Sequence, residues 1–220
     1  MPIISYIVMS NQALFRQINR FYKLSSSQSD LLKELSELET FKDRIDFSEK
    51  HLEHLSSGSS RIIYVTPDKE VLKLAKNERG IAQNFAEGNP KMVSKFINKT
   101  LKADKNGYWK TSPYLEKITE KEFEKMMDFS FKDFGEALSY GLKEPDSAKK
   151  KKPDNFDTIA KSDLYKEIVR CGKEHHLLPG DLGRVSSWGR IDGYPILLDA
   201  GLTSAIYKKF YTSNETKSKS

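Results

Sequence analysis

With 220 residues, of which 37% are hydrophobic and 11% aromatic, the chain can bury one sizeable core or two small ones, but not several independent domains. Its net charge is +6, and its lysines and glutamates are interleaved along most of the sequence. The sequence has neither the spacing of zinc ligands nor a helix-turn-helix pattern, which argues against sequence-specific nucleic-acid binding. A lone cysteine, Cys171, excludes an intrachain disulfide, and the apolar start is too short to span a bilayer, so we expect a cytoplasmic protein with no membrane segment.

Residues 1–46 are predicted to form a helical N-terminal extension. Serines and Asp30 at positions 25–30 are candidate helix caps. The apolar residues that follow at helical spacing are Leu31, Leu32, Leu35, Leu38, Phe41 and Ile45. This apolar face must pack either on the body of the protein or on a partner.

A β-hairpin followed by helices is predicted next. Residues 61–65 and 71–75 are rich in aliphatic side chains on either side of a Pro-Asp turn, which is typical of two paired strands. Residues 77–89 have a helical pattern that ends at Gly-Asn-Pro. A further helix is predicted for residues 91–101, and a strand for residues 108–112.

The C-terminal half is predicted to contain helices and a second hairpin. Thr119 and Glu122 form a capping box at the start of one helix, another begins near Ser130, and a third covers residues 162–176. Between them, residues 141–157 are expected to be a loop whose lysine run, 149–152, could attract polyanions. Strand-like residues 185–198 have Asp192-Gly193 as their hairpin turn, and the polar tail 213–220 is expected to be disordered.

Four charged residues have the chemistry of a phosphoryl-transfer site. Such a site needs a cation on the triphosphate, carboxylates for Mg²⁺ and a carboxylate near the acceptor hydroxyl. Lys73 lies in an apolar strand, where it requires an anion, and Glu87 lies on the following helix. Asp181 and Asp199 lie 18 residues apart, separated by the predicted hairpin. The alternative is a lysine at a sheet edge and a glutamate on a solvated helix face.

These motifs resemble those of protein kinases and aminoglycoside phosphotransferases. Over roughly residues 47–210 the chain is also similar to small, uncharacterised kinase-like proteins encoded by bacteriophages. The motifs that carry this resemblance are Gly58-Ser-Ser-Arg, Val71-Leu-Lys-Leu-Ala-Lys-Asn, Gly80-Ile-Ala-Gln-Asn, Ile118-Thr-Glu-Lys-Glu-Phe, Gly180-Asp-Leu-Gly-Arg and Ser187-Trp-Gly. The resemblance implies an α+β fold of the trimmed, bilobal protein-kinase type, with a small ATP-binding lobe at 47–117 and a helical lobe at 118–212.

The same resemblance implies a site for ATP and Mg²⁺. Lys73 would clamp phosphate while Glu87 holds it, and Asp181 would orient the acceptor hydroxyl. Asp199 would hold the metal together with Ser186, which stands where kinases have an asparagine. The residues that would contact the nucleotide are Gly58, Ser59, Ser60, Lys73 and Gln83.

Two functions remain open from the sequence. One is ATP- and Mg²⁺-dependent phosphoryl transfer by a minimal kinase-like protein. The other is a catalytically degenerate pseudokinase that binds and regulates a host or phage protein, which is favoured by Ser186 in place of asparagine, by the short segment after Asp199 and by the apolar face of residues 31–45. In both cases we expect a nucleotide ligand and a protein partner or substrate.

Overall fold

Two helices begin the described part of the chain, which in this computed structural model comprises residues 27–142 and 152–212. Helix α1 (Gln28–Glu37) is capped by the side chain of Ser27, and helix α2 (Phe41–His51) by that of Thr40. The leucines of the predicted apolar face, Leu31, Leu32 and Leu35, are buried, so this face packs on the body of the protein. The remainder of the predicted extension, residues 1–26, lies outside the described residues, and its predicted boundary at residue 46 falls inside α2.

An antiparallel sheet of five strands follows, in the spatial order β1-β2-β3-β5-β4. Its strands are β1 (Glu53–Ser57), β2 (Arg61–Val65), β3 (Glu70–Ala75), β4 (Lys102–Ala103) and β5 (Trp109–Pro113). The predicted hairpin at 61–75 and the predicted strand at 108–112 are therefore confirmed.

The two faces of this sheet have different roles, because successive side chains of a strand point to opposite sides. One face carries Ile62, Tyr64, Leu72 and Leu74, which form an apolar cluster with the leucines of α1. The other face carries the charged side chains of β2, β3 and β5 and is covered by helix α3 (Glu78–Glu87).

Helix α3 approaches the sheet closely at its N-terminal end. The side chain of Asn77 caps it, and it ends at Gly88, close to the limits of the predicted helical pattern at 77–89. A Cβ atom on Gly80 would lie 2.2 Å from the carbonyl oxygen of Ser60, so only glycine allows this approach.

The helix predicted for residues 91–101 is wrong. The segment has no helix, and its backbone pairs with Leu197: the Leu197 N–H donates to Phe96 O and the Asn98 N–H to Leu197 O. Met92 and Phe96 are buried while Val93 is 69% exposed. Hydrogen bonds to a distant strand therefore override the local helical preference.

The C-terminal half packs short helices on a three-stranded antiparallel sheet, in the order β6-β7-β8. The helices are α4 (Glu120–Met127), α5 (Phe131–Gly141), α6 (Phe156–Ile159), α7 (Asp163–Glu174), α8 (Pro179–Leu182) and α9 (Ser204–Tyr207). The strands are β6 (Glu116–Lys117), β7 (Trp188–Ile191) and β8 (Tyr194–Leu197), and a π-helical turn, Lys208–Thr212, follows α9. The capping box, the helices near 130 and 162–176, and the hairpin turn at Asp192-Gly193 are confirmed. Val185, predicted as a strand residue, lies in a 3₁₀ turn, Val185–Ser187.

This half has its own apolar cluster, built around aromatic rings. Phe123, Phe131 and Phe134 surround Trp188, with ring centroids 5.5 to 6.4 Å from its own, and the Trp188 indole N–H donates to Leu182 O at 2.8 Å. The described residues therefore form two separate apolar clusters, one with each sheet. Within the described ranges, no helix has the length and apolar character needed to cross a bilayer. The predicted tail 213–220 and most of the loop with the lysine run lie outside the described residues.

Candidate functional site

Three cations converge on Glu87 at the C-terminal end of α3. Lys73 Nζ and Lys110 Nζ each lie 2.7 Å from Glu87 Oε2, and Arg61 Nη1 lies 2.8 Å from Oε1. All four side chains are nearly inaccessible to solvent. The structure thus brings together the predicted pair, Lys73 and Glu87, and adds Arg61, to which the Gly58-Ser-Ser-Arg motif gave no role, and Lys110, which no quoted motif contains.

The cations meet because of the strand register. Lys73 on β3 lies directly opposite Lys110 on β5, and Arg61 lies two residues before Ile63, the partner of Lys73 on β2. Two lysines directly opposite each other repel unless an anion lies between them. The sequence signal for Lys110 is the one that identified Lys73, a lysine within a predicted strand segment, 71–75 or 108–112, that has no other charged residue.

The charges in this network shift the pKa values of its members. Burial alone would raise the pKa of the Glu87 carboxyl, but Arg61, Lys110 and Lys73 hold that pKa well below its usual range. The pKa of Lys73 is lowered to about 8, mainly by burial and also by the charges of Arg61 and Lys110, while the Glu87 and Asp199 carboxylates oppose this shift. Lys73 is therefore a buried cation that an additional anion would stabilise.

Asp199 joins the network from the other half of the chain. Its Oδ1 accepts a hydrogen bond from Arg61 Nη2 at 2.8 Å and one from the Gly201 N–H at 3.2 Å. A Cβ atom on Gly201 would lie 2.9 Å from Glu87 Oε1 and 3.0 Å from Gln83 O, so this glycine lets the Asp-Ala-Gly turn pack against α3. The neighbouring Leu198 carbonyl accepts a 2.7 Å hydrogen bond from Lys73 Nζ.

Asp181 lies on the short helix α8 and faces the same space as Asp199. Its Oδ1 is 3.3 Å from Arg184 Nη1. Burial, and secondly the negative charge of Asp199, raises the pKa of Asp181 above its usual value. A carboxylate with a raised pKa is a better proton acceptor than an ordinary aspartate.

Two adjoining cavities occupy the region around Asp199. The larger, of about 880 Å³, contains Asp181, and the smaller, of about 440 Å³, contains Lys73 and Ser186. Asp199, Ser56 and Ile63 line both of them. The cavities therefore form one cleft with Asp199 near its middle.

The predicted nucleotide-contacting loop lines the larger cavity. Gly58, Ser59, Ser60 and Gln83 all contribute to its wall, and Ser60 Oγ donates to Gln83 Oε1 at 2.7 Å. Lys73 lines the smaller cavity instead.

Two tyrosines missed by the sequence motifs complete the larger cavity. Tyr207 and Tyr211 stack with ring centroids 5.4 Å apart, and the Arg79 guanidinium lies 4.6 Å from the centre of the Tyr211 ring. Their spacing of four residues, one helical turn, is the signal that could have identified them.

The residues around Asp199 fit Mg²⁺ only as a partial site. Over the described ranges, no group of three His, Cys, Asp or Glu side chains could hold a metal ion. Asp199 Oδ1 is already bonded to Arg61, and the candidate ligands are the Asp199 carboxylate and Ser186, which both line the smaller cavity. Because Mg²⁺ commonly takes one or two carboxylates and completes its shell with water and substrate phosphates, this set could serve only with a phosphate ligand present.

A scan against protein-family models gives no match, and searches of curated proteins and of solved structures return no significant match either. The function of the cleft therefore has to be inferred from its own residues.

Proposed function

We propose that this chain is a minimal kinase-like protein that binds ATP in the cleft and transfers its terminal phosphoryl group to a hydroxyl group. In this proposal the five-stranded sheet with α3 is the small ATP-binding lobe of a trimmed, bilobal fold, and the C-terminal helices form the other lobe. The observation that carries it is the buried 2.7 Å ion pair between Lys73 and Glu87, which faces a cleft that also contains Asp181 and Asp199.

The smaller cavity suits a nucleobase on its apolar side, and the phosphate chain would run past Lys73 and Asp199 into the larger cavity. Ile63, Val71 and Leu198 give the smaller cavity apolar walls, which favour a planar base. The Lys73 ammonium has three N–H donors, and among the described residues two of them meet Glu87 and Leu198 O. The third donor is available for a phosphate oxygen.

Asp181 is the residue proposed to meet the acceptor. It lines the larger cavity, where a hydroxyl could enter, and its raised pKa favours transient acceptance of the hydroxyl proton. Asp199 and Ser186 would hold Mg²⁺ against the phosphates. When bound, the metal supplies neutralisation of the phosphate charge.

One observation favours the second candidate, a pseudokinase that binds a nucleotide and regulates a host or phage protein without transferring phosphate. The 2.8 Å contact between Arg61 and Asp199 occupies an oxygen that a catalytic metal would otherwise use. Binding without transfer is the function that this contact suits.

The two candidates can be separated with purified protein, MgATP and γ-labelled ATP. We expect MgATP to raise the melting temperature of the wild type and of Lys121→Met, an exposed lysine used as the control, but not of Lys73→Met. Asp181→Asn should keep the thermal shift and lose label transfer, because its carboxylate serves the acceptor and not the bound nucleotide. A thermal shift without transfer by any variant would favour the pseudokinase, and no shift in the wild type would refute nucleotide binding.

A further inference from the structure

We propose that Arg61 is a built-in counter-cation for Asp199, so that the cleft binds the phosphate chain of a nucleotide without needing a divalent metal. The inference rests on the proposed nucleotide-binding function and concerns the source of the positive charge. It separates nucleotide binding, which needs no metal, from phosphoryl transfer, which would still use one.

Arg61 is held rigidly in the position that this role requires. Only 5% of the residue is exposed, yet it lines the larger cavity. Its Nη2 contacts Asp199 at 2.8 Å, while Nη1 contacts Glu87 at 2.8 Å and donates to Asn84 Oδ1 at 3.3 Å. Glu87 and Asn84, both on α3, hold the buried guanidinium beside Asp199, and moving it away would leave the buried Glu87 with one cation fewer.

The charge balance of the network explains why a metal is dispensable for binding. A bare aspartate beside a phosphate repels it, and metal ions in phosphoryl-transfer sites remove this repulsion. Here Arg61, Lys73 and Lys110 face two carboxylates, Glu87 and Asp199, so the linked network has a net charge of +1. A phosphate group therefore meets positive charge before any metal arrives.

Asp181, the second carboxylate that lines the larger cavity, also has an arginine beside it. Asp181 lies 3.3 Å from Arg184, which lines that cavity too. Each acidic group facing the proposed phosphate position thus has an arginine beside it. Because Arg184 is 68% exposed, its contribution is screened by solvent, and Arg61 provides the stronger effect.

The test measures ATP affinity by calorimetry, once with Mg²⁺ and once with excess EDTA. For the wild type we expect dissociation constants within about threefold of each other. In EDTA, Arg61→Gln should lose at least tenfold in ATP affinity, because the Asp199 carboxylate then has no cation beside it and repels the phosphates. With Mg²⁺ the variant should recover most of this affinity, because the metal supplies the missing positive charge. Arg170→Gln, which changes an exposed arginine on α7, is the matched control and should behave as the wild type.

Asp199→Asn keeps the test decisive if Arg61→Gln fails to fold, since the Asp199 side chain is 48% exposed. If Arg61 is the counter-cation, removing the carboxylate charge leaves the network more positive, and affinity in EDTA should be unchanged or higher. A wild type that loses more than tenfold in EDTA, or an Asp199→Asn variant that binds ATP more weakly in EDTA, would overturn the inference while leaving nucleotide binding intact. Failure of the wild type to bind ATP under both conditions would overturn the proposed function as well.

Discussion

Replacing Glu87 by glutamine tests the buried charge network directly. The glutamate is the shared partner of Arg61, Lys73 and Lys110, and its side chain is only 4% exposed. Removing one partner of a buried ion pair costs about 3–5 kcal/mol, because the remaining charges stay buried without compensation. Since Lys73 and Lys110 lie directly opposite each other and both lose their anion, we expect the upper part of this range.

The free energy of unfolding can be measured by urea denaturation at pH 7. With a denaturant slope of roughly 3 kcal/mol per M, the expected loss lowers the midpoint by about 1–2 M. Glu124→Gln, an exposed glutamate on α4, should change the stability by less than about 0.5 kcal/mol. A loss below about 1 kcal/mol for Glu87→Gln would refute the idea that this carboxylate compensates three buried cations.

Three further predictions concern pH, the N-terminal helices and the Asp-Ala-Gly turn. The pKa of Lys73 is about 8 in the folded protein, against an ordinary value of 10.5 for the unfolded chain. Between these two values the unfolded chain binds more protons than the folded protein, so the free energy of unfolding should rise with pH, by about 1–2 kcal/mol between pH 8 and pH 9.5. Lys73→Met should flatten that rise in urea denaturation series. Leu35→Ala, at a fully buried position, should cost about 2–5 kcal/mol of unfolding free energy, whereas a leucine reserved for a partner would cost almost none. Gly201→Ala should reduce the ATP-induced thermal shift, because its Cβ would press on Glu87. Gly135→Ala is the control and should leave the shift unchanged, because its Cβ would meet its nearest neighbour, Gly183 Cα, at an ordinary 3.6 Å; equal shifts in both variants would contradict the packing argument.

Much of the fold could be predicted because its signals are local. A capping side chain bonds to a backbone N–H only a few residues away, so Asn77, Thr119, Ser130 and Ser162 mark helix starts without reference to the rest of the chain. The same holds for the Asp192-Gly193 turn, whose residues have φ angles of 49° and 79°.

The segment 91–101 shows where local signals stop. Its side chains permit a helix, but Leu197, about a hundred positions away, takes up the backbone hydrogen bonds of Phe96 and Asn98. The burial of Phe96 against the aromatic cluster supports the same extended path. Nothing within the segment itself identifies that partner strand.

For the candidate site, the sequence by itself determined the residue types and their order: a lysine in a strand, a glutamate on the next helix, and two aspartates around a hairpin. Only the tertiary structure decided that Arg61 and Lys110 join Lys73 at Glu87, and that Arg61 also contacts Asp199. The physical reason is that these contacts depend on the register of three strands and on the close approach of Gly201 to α3. Electrostatic attraction acts over a few ångströms of space, and separation along the chain does not reveal it.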